Sequence, residues 1–454
     1  MGFLDKDYLL TNPTASLLYE AIKELPIVDP HNHADIKEIV LDTSWNDIWE
    51  VEGATDHYVW ELMRKRGIPE EKITGNASNK EKWLALCKIF PELVGNPVYE
   101  WIHLDLKRIF GIEDIISVYT GEKIWHATSE MLKDKGIKPQ SLLRKMNVEI
   151  LSTTDDPIDD LIYHEKAKNI ENIKITPTWR PDKAMNIEKR EWKSYVEKLG
   201  NVEKEDIGTL DGFLSALMKS HKYFDNHGCR ASDHGILRPI SFYVSRDKVK
   251  SIYDKAIRGK ELSPEEIISF KAYMLYQFGK MNEERGWVMQ LHIGALRDYR
   301  DSLYETLGPD SGGDISTNAL DIAGNLRYFL NQFDGKLKIV LYVLDPTHLP
   351  TIATIARIFP NVSLGAAWWY NDTPFGMEMH LKYIATVDLL YNFAGMVTDS
   401  RKLLSYGSRT EMFRRVLSSV VGEMVEKGQI PLKEAIKLVE WVSYFRPKKL
   451  FYDG

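Results

Sequence analysis

Cysteine is scarce in this chain, with only Cys87 and Cys229 among 454 residues. The two form no CxxC pair and no disulfide framework, which indicates a reducing compartment, and we expect a cytoplasmic protein. No stretch approaches the roughly 18 uninterrupted apolar residues of a membrane helix. The N-terminal residues carry acidic side chains early and lack the basic-then-apolar order of a secretory signal. The sequence therefore predicts neither a membrane partner nor export.

Basic charge is also not in excess, because the formal net charge is −7. Nothing in the sequence indicates a nucleic-acid surface. A GxGxxG loop, a Walker loop and a GxSxG elbow are absent, which leaves nucleotide-driven and serine-hydrolase chemistry unsupported. An anionic ligand would need dedicated arginines to hold it against the overall charge.

Eight runs do occur in which an apolar stretch ends in polar or ionisable residues and a helix-like stretch then follows. Continuous apolar strands that alternate with helices are typical of a buried parallel sheet. Eight such units predict a (β/α)8 TIM-type barrel of the α/β class, whose active site lies at the C-terminal ends of the strands. The fourth run, GCRASDHG, is barely apolar. The runs are 25–33, 148–157, 172–181, 228–235, 287–294, 338–348, 361–369 and 393–401.

Two regions interrupt the alternation of strands and helices. Residues 36–147 have a Trp-rich helical pattern, which predicts a helical insertion subdomain over the barrel mouth, after the first strand. Residues 182–227 form a second insertion. We therefore expect residues 1–35 to hold the N-terminal segment and the first strand, and residues 148–454 to hold the remainder of the barrel with C-terminal helices.

Two histidines follow the first run, in the segment VDPHNHAD. Because successive strand side chains alternate between faces, His31 and His33 point the same way, which at a barrel strand end is inward. Two imidazoles in this arrangement suit a divalent metal. The HxH pair alone is a weak signal, and two hydrogen-bonded core histidines are the alternative.

Asp399 follows the last run, FAGMVT, so a closed barrel places it beside the first strand. A carboxylate next to two imidazoles completes a three-ligand metal site, which zinc, manganese, iron or cobalt can occupy. We expect a divalent metal as cofactor, with zinc as the first choice. His292 ends the fifth run and is either a fourth ligand, a polariser of substrate or a core histidine bonded to backbone.

Arginines follow two of the runs. Arg180 comes after ITPTW, and Arg401 comes two residues after Asp399. Guanidinium groups at strand ends suit bidentate recognition of a carboxylate, which indicates an anionic ligand. Arg297 lies further past its strand end, where it either assists or is a surface residue.

Four other residues have unusual positions. His57 and Tyr58 lie beside an acid in the helical insertion, a combination that an amphipathic helix alone does not explain. Trp368 and Trp369 end the seventh run, where one of them lines the site or both pack in the core.

The fourth run ends in Asp233 and His234, which either bear on the site or cap a helix. No lysine ends this run, so the sequence does not predict the bridging carbamylated lysine of binuclear hydrolases.

Taken together, these segments resemble the uronate isomerase (glucuronate isomerase) family, a branch of the amidohydrolase superfamily. The likeness is carried by DPHNHAD, DHYVWELMRKRGI, TPTWRPDKA, MQLHIGALR and MVTDSRKLLSYGSRTEMFRR, which run from residue 29 to residue 415. The C-terminal segment YFRPKKLFYDG departs from the usual superfamily ending. The resemblance implies an aldose–ketose isomerase that converts D-glucuronate to D-fructuronate and D-galacturonate to D-tagaturonate.

The resemblance also implies a role for each residue that matches a family motif. His31, His33 and Asp399 correspond to metal ligands, with Asp399 also the base. The other implied catalytic residues are His292, His57 and Tyr58, and the implied substrate-binding residues are Arg180, Arg401 and one of Trp368 and Trp369.

Two other functions stay open. A mononuclear metal hydrolase or deaminase on the same barrel would use its metal to activate water. A sugar-acid-binding protein without catalysis is disfavoured, because a binder has no need of an Asp–His–His cluster. We expect a small-molecule uronate as the binding partner and a homo-oligomeric assembly.

Overall fold

The computed structural model describes residues 2–133 and 136–453. Nine strands lie in these ranges, and most are short. They are β1 (Ile27–Asp29), β2 (Val148–Ser152), β3 (Lys174–Thr176), β4 (Ala231–Ile236), β5 (Val288–Ile293), β6 (Ala295–Leu296), β7 (Ile315–Ser316), β8 (Lys338–Val343) and β9 (Val362–Leu364).

Helices make up most of the remaining regular structure. The α-helices are α1 (Pro13–Ile22), α2 (Ile36–Leu41), α3 (Ile48–Glu52), α4 (His57–Lys65), α5 (Asn79–Ile89), α6 (Pro97–Asp105), α7 (Gly121–Lys133), α8 (Pro139–Lys145), α9 (Ile162–Ala167), α10 (Asp182–Met185), α11 (Trp192–Glu203), α12 (Leu210–Asn226), α13 (Arg246–Ile257), α14 (Pro264–Arg285), α15 (Asp301–Leu307), α16 (Ile322–Gln332), α17 (Leu349–Ile358), α18 (Pro374–Val387), α19 (Ser405–Glu426), α20 (Leu432–Glu440) and α21 (Arg446–Phe451). Single 3₁₀ turns are Glu70–Lys72, Phe90–Leu93, Pro346–His348, Trp369–Asn371 and Leu390–Asn392, and π turns are Leu106–Phe110 and Trp441–Phe445. No helix in the described ranges is both long enough and apolar enough to cross a membrane.

Seven of the strands pair in parallel, in the chain order of a barrel. β1, β2 and β3 form one sheet, and β4, β5, β8 and β9 form another. Trp179 joins the two sheets, because its N–H donates to the carbonyl of Ala231 (3.2 Å) and its carbonyl accepts from the N–H of Asp233 (3.0 Å). The predicted α/β class is confirmed, and the parallel strands follow one another in the order of the predicted TIM-type barrel.

The eighth predicted run, residues 393–401, does not form a regular strand, so the expectation of a strand there is wrong. Gly395 and Asp399 adopt φ values of 101° and 51°, which break the repeating geometry that strand pairing needs. The run still bonds to both neighbours. The N–H of Ala394 donates to Leu364 of β9 (2.8 Å), and the N–H of His33 donates to the carbonyl of Ser400 (2.9 Å). The last barrel position is therefore occupied by irregular backbone.

The fourth run is a regular strand even though it has few apolar residues. All but one residue of β4 are buried. Its polar side chains bond to one another and to neighbours, with Ser232 Oγ 2.8 Å from His234 Nε2 and Asp233 Oδ1 2.6 Å from His292 Nδ1. Buried polar groups are tolerated when they have such partners, so hydrogen bonding replaces apolar packing along this strand.

The region between β1 and β2 is helical, as its sequence pattern predicts. The described residues there, 36–133 and 136–147, contain α2 to α8 and no strand. The second insertion likewise holds α10, α11 and α12. The division of the chain at residues 35 and 147 stays a prediction. A strand pair was not predicted in the connection after β5, where β6 and β7 pair in antiparallel fashion.

Candidate active site

A cavity of about 410 Å³ opens where the barrel strands end. Its lining combines imidazoles, carboxylates, guanidinium groups and indoles, as expected for a site built from several strand ends. The residues predicted from the sequence that line it are His31, His33, His57, Arg180, His292, Trp368, Trp369, Asp399 and Arg401. Tyr58 is the predicted site residue that is not part of this lining.

The first-strand histidines and the last-run carboxylate do converge. Nε2 of His31 lies 3.1 Å from Oδ1 of Asp399, and Nε2 of His33 lies 3.2 Å from the same oxygen. One donor atom from each of the three residues falls within 4.8 Å of the others. Two imidazoles and a carboxylate form a donor set that suits a divalent metal.

A second group of possible metal ligands shares His31 with the first. Its other members are Asp233 and His292. Oδ1 of Asp233 lies 2.6 Å from Nδ1 of His292, and Oδ2 of Asp233 lies 3.8 Å from Nδ1 of His31. Oδ2 of Asp233 is paired with Nη1 of Arg180 at 3.0 Å, whereas Nδ1 of His31 and Nε2 of His292 are buried and lack a hydrogen-bond partner. Because buried polar atoms rarely go unpartnered, these free donor atoms fit a bound cation. Neither Asp233 nor His234 is in the cavity lining, but Asp233 bears on the site through its contacts with residues that are.

The charges around Asp399 favour its ionised form. Burial alone would raise the pKa of Asp399, but hydrogen bonds from His31 and His33 hold it well below its usual range. Burial lowers the pKa of His33 to about 4, although Asp399 opposes this shift. The pKa of His31 is raised instead, because the nearby Asp233 and Asp399 outweigh the effect of burial. His33 is therefore a neutral imidazole near neutral pH, as metal ligation requires.

The position of Asp399 is fixed by backbone and side-chain contacts. Its φ of 51° lies in the left-handed region, which costs a non-glycine residue about 1 kcal/mol or more and is concentrated at functional sites. Trp368 Nε1 donates to Asp399 Oδ2 at 2.9 Å. Trp368 is therefore the tryptophan that touches Asp399, while Trp369 lines another part of the cavity.

Arg180 and Arg401 both line the cavity but differ in their surroundings. Arg180 Nε lies 2.8 Å from Asp182, and its Nη1 lies 3.0 Å from Asp233. A side chain at Gly235 would reach within 2.2 Å of the Arg180 guanidinium, so this glycine leaves room for it. The nearest carboxylate to Arg401 is that of the exposed Asp310, at 3.9 Å.

Arg297 also belongs to the cavity lining. It pairs with Asp314 at 2.6 Å, and its guanidinium carbon lies 4.9 Å from the centroid of the Trp369 ring. Arg297 is thus exposed to solvent at the rim of the cavity, and its role at the site stays a prediction.

The insertion contributes His57 to the cavity. Asp56 caps α4 by accepting from the N–H of Tyr58, and the helix starts at His57. Burial, assisted by the charge of Arg401, lowers the pKa of His57 to about 4. The Tyr58 hydroxyl points elsewhere and donates to the carboxylate of Asp372 at 3.2 Å.

Among the carboxylates near the site to which the sequence analysis gave no role are Asp155 and Asp372. Asp155 lines the cavity at the end of the second run, and burial raises its pKa to about 7. Its position within TTDDP after an apolar run was the available signal. Asp372 carries no comparable signal, because its contact with Tyr58 joins residues that are 314 positions apart.

Comparison with known proteins gives a consistent result over the whole chain. The family model described as glucuronate isomerase matches residues 1–451. The uronate isomerases of Thermotoga neapolitana and Thermotoga maritima are 68% and 67% identical, with 99% of this chain and 100% of each relative covered.

Solved structures agree with the sequence relatives. The crystal structure of a uronate isomerase from Thermotoga maritima is 66% identical, with a TM-score of 0.98 and 100% of both chains covered. That of a glucuronate isomerase from Caulobacter crescentus is 25% identical, with a TM-score of 0.95, and covers 99% of this chain and 96% of its own. With a full-length family match, close relatives and this arrangement of histidines, arginines and carboxylates, the chain belongs to the glucuronate isomerase family of enzymes.

Proposed function

We propose that this protein isomerises D-glucuronate to D-fructuronate and D-galacturonate to D-tagaturonate. The observation that carries the proposal is the approach of Asp399 to two histidines in a cavity that also presents Arg180 and Arg401. A carboxylate base, neutral imidazoles and guanidinium groups are what proton transfer within an anionic sugar requires. Family membership supports the same reaction class.

The proton transfer follows from the chemistry of an open-chain aldose. The C2–H bond breaks, its electron pair forms the C1–C2 double bond of an enediol, and O1 gains a proton. The same base then returns the proton to C1 while O2 loses its proton, so that no net redox change occurs. Asp399 is the proposed base, since it is ionised and held at a fixed position by His31, His33 and Trp368.

The remaining polar groups supply protons and orientation. His57, whose low pKa keeps its imidazole neutral, presents an N–H that can protonate O1 and assist opening of the sugar ring. His292 is held by Asp233 at 2.6 Å, which fixes the orientation of its ring. We assign no direct substrate contact to Tyr58, because its hydroxyl is bonded to Asp372.

A divalent cation would be held by His31, His33 and Asp399, with His292 and Asp233 as further donors. When bound, it supplies positive charge for substrate oxygens. Imidazole and carboxylate ligands suit zinc, which is our proposed metal, as well as manganese, iron and cobalt.

The arginines account for the choice of a uronate over a neutral aldose. The net charge of −7 does not attract an anion to the protein as a whole. The carboxylate closest to Arg401 is that of the exposed Asp310, at 3.9 Å. The planar guanidinium of Arg401 is therefore available for a bidentate contact with the C6 carboxylate of the substrate. Arg180, which is paired with Asp182 and Asp233, is proposed to orient hydroxyl groups and to stabilise developing negative charge.

The test is incubation of the metal-loaded protein with each uronate, with the ketose product read by NMR. We expect the ketose signals to appear with D-glucuronate and D-galacturonate but not with the neutral aldoses glucose and galactose. Release of ammonia from amino-substituted ligands without ketose formation would favour a deaminase on the same barrel. Tight uronate binding without turnover would instead identify a binding protein, and either result would reject the proposal.

A further inference from the structure

Arg409, on α19, connects two segments that lead into the cavity wall. Its side chain is buried, with 2% of its surface exposed. Its Nη1 atom donates to Asp372 Oδ2 at 2.7 Å and to the carbonyl of Thr398 at 2.9 Å. Thr398 directly precedes Asp399, and Asp372 directly follows the turn Trp369–Asn371. One guanidinium group therefore holds the backbone before the proposed base and the segment after the tryptophan wall.

The same guanidinium group contacts the helical insertion. Its carbon lies 4.0 Å from the ring centroid of Trp101, on α6, and 5.3 Å from that of Tyr58, on α4. The Tyr58 hydroxyl donates to Asp372, so the tyrosine and the arginine share one carboxylate. Because Tyr58 follows His57 at the start of α4, these contacts also restrain the imidazole that faces the cavity.

Arg409 donates to the carbonyl of Thr398, which belongs to the peptide bond between Thr398 and Asp399. On the other side, Asp29 accepts from the Thr398 N–H at 3.0 Å and from its hydroxyl at 2.6 Å. Together, Asp29 and Arg409 fix the residue before Asp399 through three hydrogen bonds. A non-glycine residue in the left-handed region persists only where its surroundings hold it there.

We propose that Arg409 is a positioning residue for the isomerisation, an inference that rests on the proposed function. It sets the position of Asp399 through Thr398, and it sets the position of His57 through Asp372 and Tyr58. Proton transfer depends on this placement, since a shift of about 1 Å in a reacting group can cost roughly a hundredfold in rate. Arg409 is not in the cavity lining, so it acts through the residues that it holds.

Arg415 offers a matched control on the same helix. It is also buried, pairs with Glu411 at 2.9 Å and donates to the carbonyls of Lys6 and Tyr8. Its guanidinium carbon lies 4.2 Å from the ring centroid of Tyr19. The two arginines thus have the same kinds of contacts, but those of Arg415 reach the N-terminal segment rather than the cavity wall.

The experiment compares Arg409→Met, Arg409→Lys and Arg415→Met in the full-length, metal-loaded protein. Steady-state kinetics on D-glucuronate, thermal unfolding and metal content are measured for each. We expect Arg409→Met to lower kcat by about tenfold to a hundredfold with KM within about threefold of the wild type. Arg409→Lys should recover part of kcat, because an ammonium group can replace a hydrogen bond made by Nη1 but not the contact of the planar guanidinium with the Trp101 ring. Arg415→Met should lower Tm but leave kcat within about twofold.

A second variant covers the case in which Arg409→Met does not fold. Asp372→Asn keeps the shape of the side chain but replaces one of the two oxygens that accept from Arg409 and Tyr58 with an amide group, and we expect it to lower kcat in the same way. If folded Arg409→Met, or Asp372→Asn in its place, keeps a kcat equal to that of Arg415→Met, the positioning role is rejected. Absence of isomerisation in both the wild type and Arg415→Met would reject the proposed function instead.

Discussion

Nε2 of His31 lies 3.1 Å from Oδ1 of Asp399, a contact that joins residues 368 positions apart. Nε2 of His33 reaches the same oxygen at 3.2 Å. The first strand and the last barrel position therefore deliver three donor atoms to one point. Asp399 is both a proposed ligand and the proposed base, whereas His31 and His33 are proposed ligands only, so substitutions of the histidines test metal binding without removing the base.

Replacing either histidine should remove metal and activity together. His31→Asn and His33→Asn keep a polar side chain but delete an imidazole donor, and loss of one of three ligands weakens a metal site strongly. We expect metal content after dialysis and the rate of ketose formation to fall in parallel, with elemental analysis and NMR as the measurements.

His380→Asn is the matched control for these variants. His380 is also a buried histidine, but its Nε2 bonds to the carbonyl of Gly365 at 2.8 Å and it lies outside the cavity lining. This variant should keep its metal. A His31 or His33 variant with full metal occupancy would remove that residue from the ligand set.

Asp399→Asn tests the proposed base. The amide keeps the shape of the carboxylate but cannot accept the C2 proton, and general-base catalysis typically contributes about 10²- to 10⁴-fold. We expect kcat to fall by at least about 10²-fold while circular dichroism and thermal unfolding show an intact fold. Turnover close to that of the wild type would mean that another group takes the proton, with His57 the next candidate in the cavity.

The sequence alone predicts the parts of this site that depend on local order along the chain. His31 and His33 follow an apolar strand, and Asp399 follows the last run, so barrel closure is enough to bring them together. It does not predict the contact between Tyr58 and Asp372 or the support from Arg409. Those contacts depend on how α4 and α19 pack, which no periodicity in the sequence specifies.

The irregular last barrel position was missed for a related reason. FAGMVTDSR has the apolar pattern of a strand, and propensity gives no warning of the positive φ at Asp399. The residue before it, Thr398, is held by Asp29 and Arg409, which come from distant parts of the chain. At functional positions, the folded structure often departs from the conformation that the local sequence pattern favours.

Loss of the proton from the Asp155 carboxyl group should lower the free energy of unfolding as pH rises. Burial raises its pKa from the ordinary 3.8 to about 7, with partial compensation from the hydroxyl of Thr153 and the N–H of Thr178. Between these two values the folded state binds more protons at this group than the unfolded state does. The free energy of unfolding therefore falls as pH rises through this window, by up to about 1.4 kcal/mol per pH unit from this one group.

The measurement is chemical denaturation of wild type and Asp155→Asn at pH 5, 6, 7 and 8. The asparagine does not titrate, so the variant should gain stability relative to the wild type between about pH 5 and pH 7. The exposed Asp334 provides the control, and Asp334→Asn should follow the wild-type curve. Parallel curves for the wild type and Asp155→Asn would show that this carboxyl group does not have a raised pKa in the folded protein.

Arg401→Met should keep its metal but lose at least about 10²-fold in kcat/KM on D-glucuronate. The reason is that a charge-assisted contact and the register of the substrate disappear together. Arg401 lies two positions from Asp399 and has only the exposed Asp310 near it, whereas two closer carboxylates offset the charge of Arg180. Arg401→Lys should recover only part of the loss, because an ammonium group lacks the planar fork.

Arg300→Met changes an exposed arginine outside the cavity lining and should leave kcat/KM unchanged. If Arg401→Met behaves like Arg300→Met, the carboxylate is held elsewhere, and Arg180 becomes the residue to substitute next.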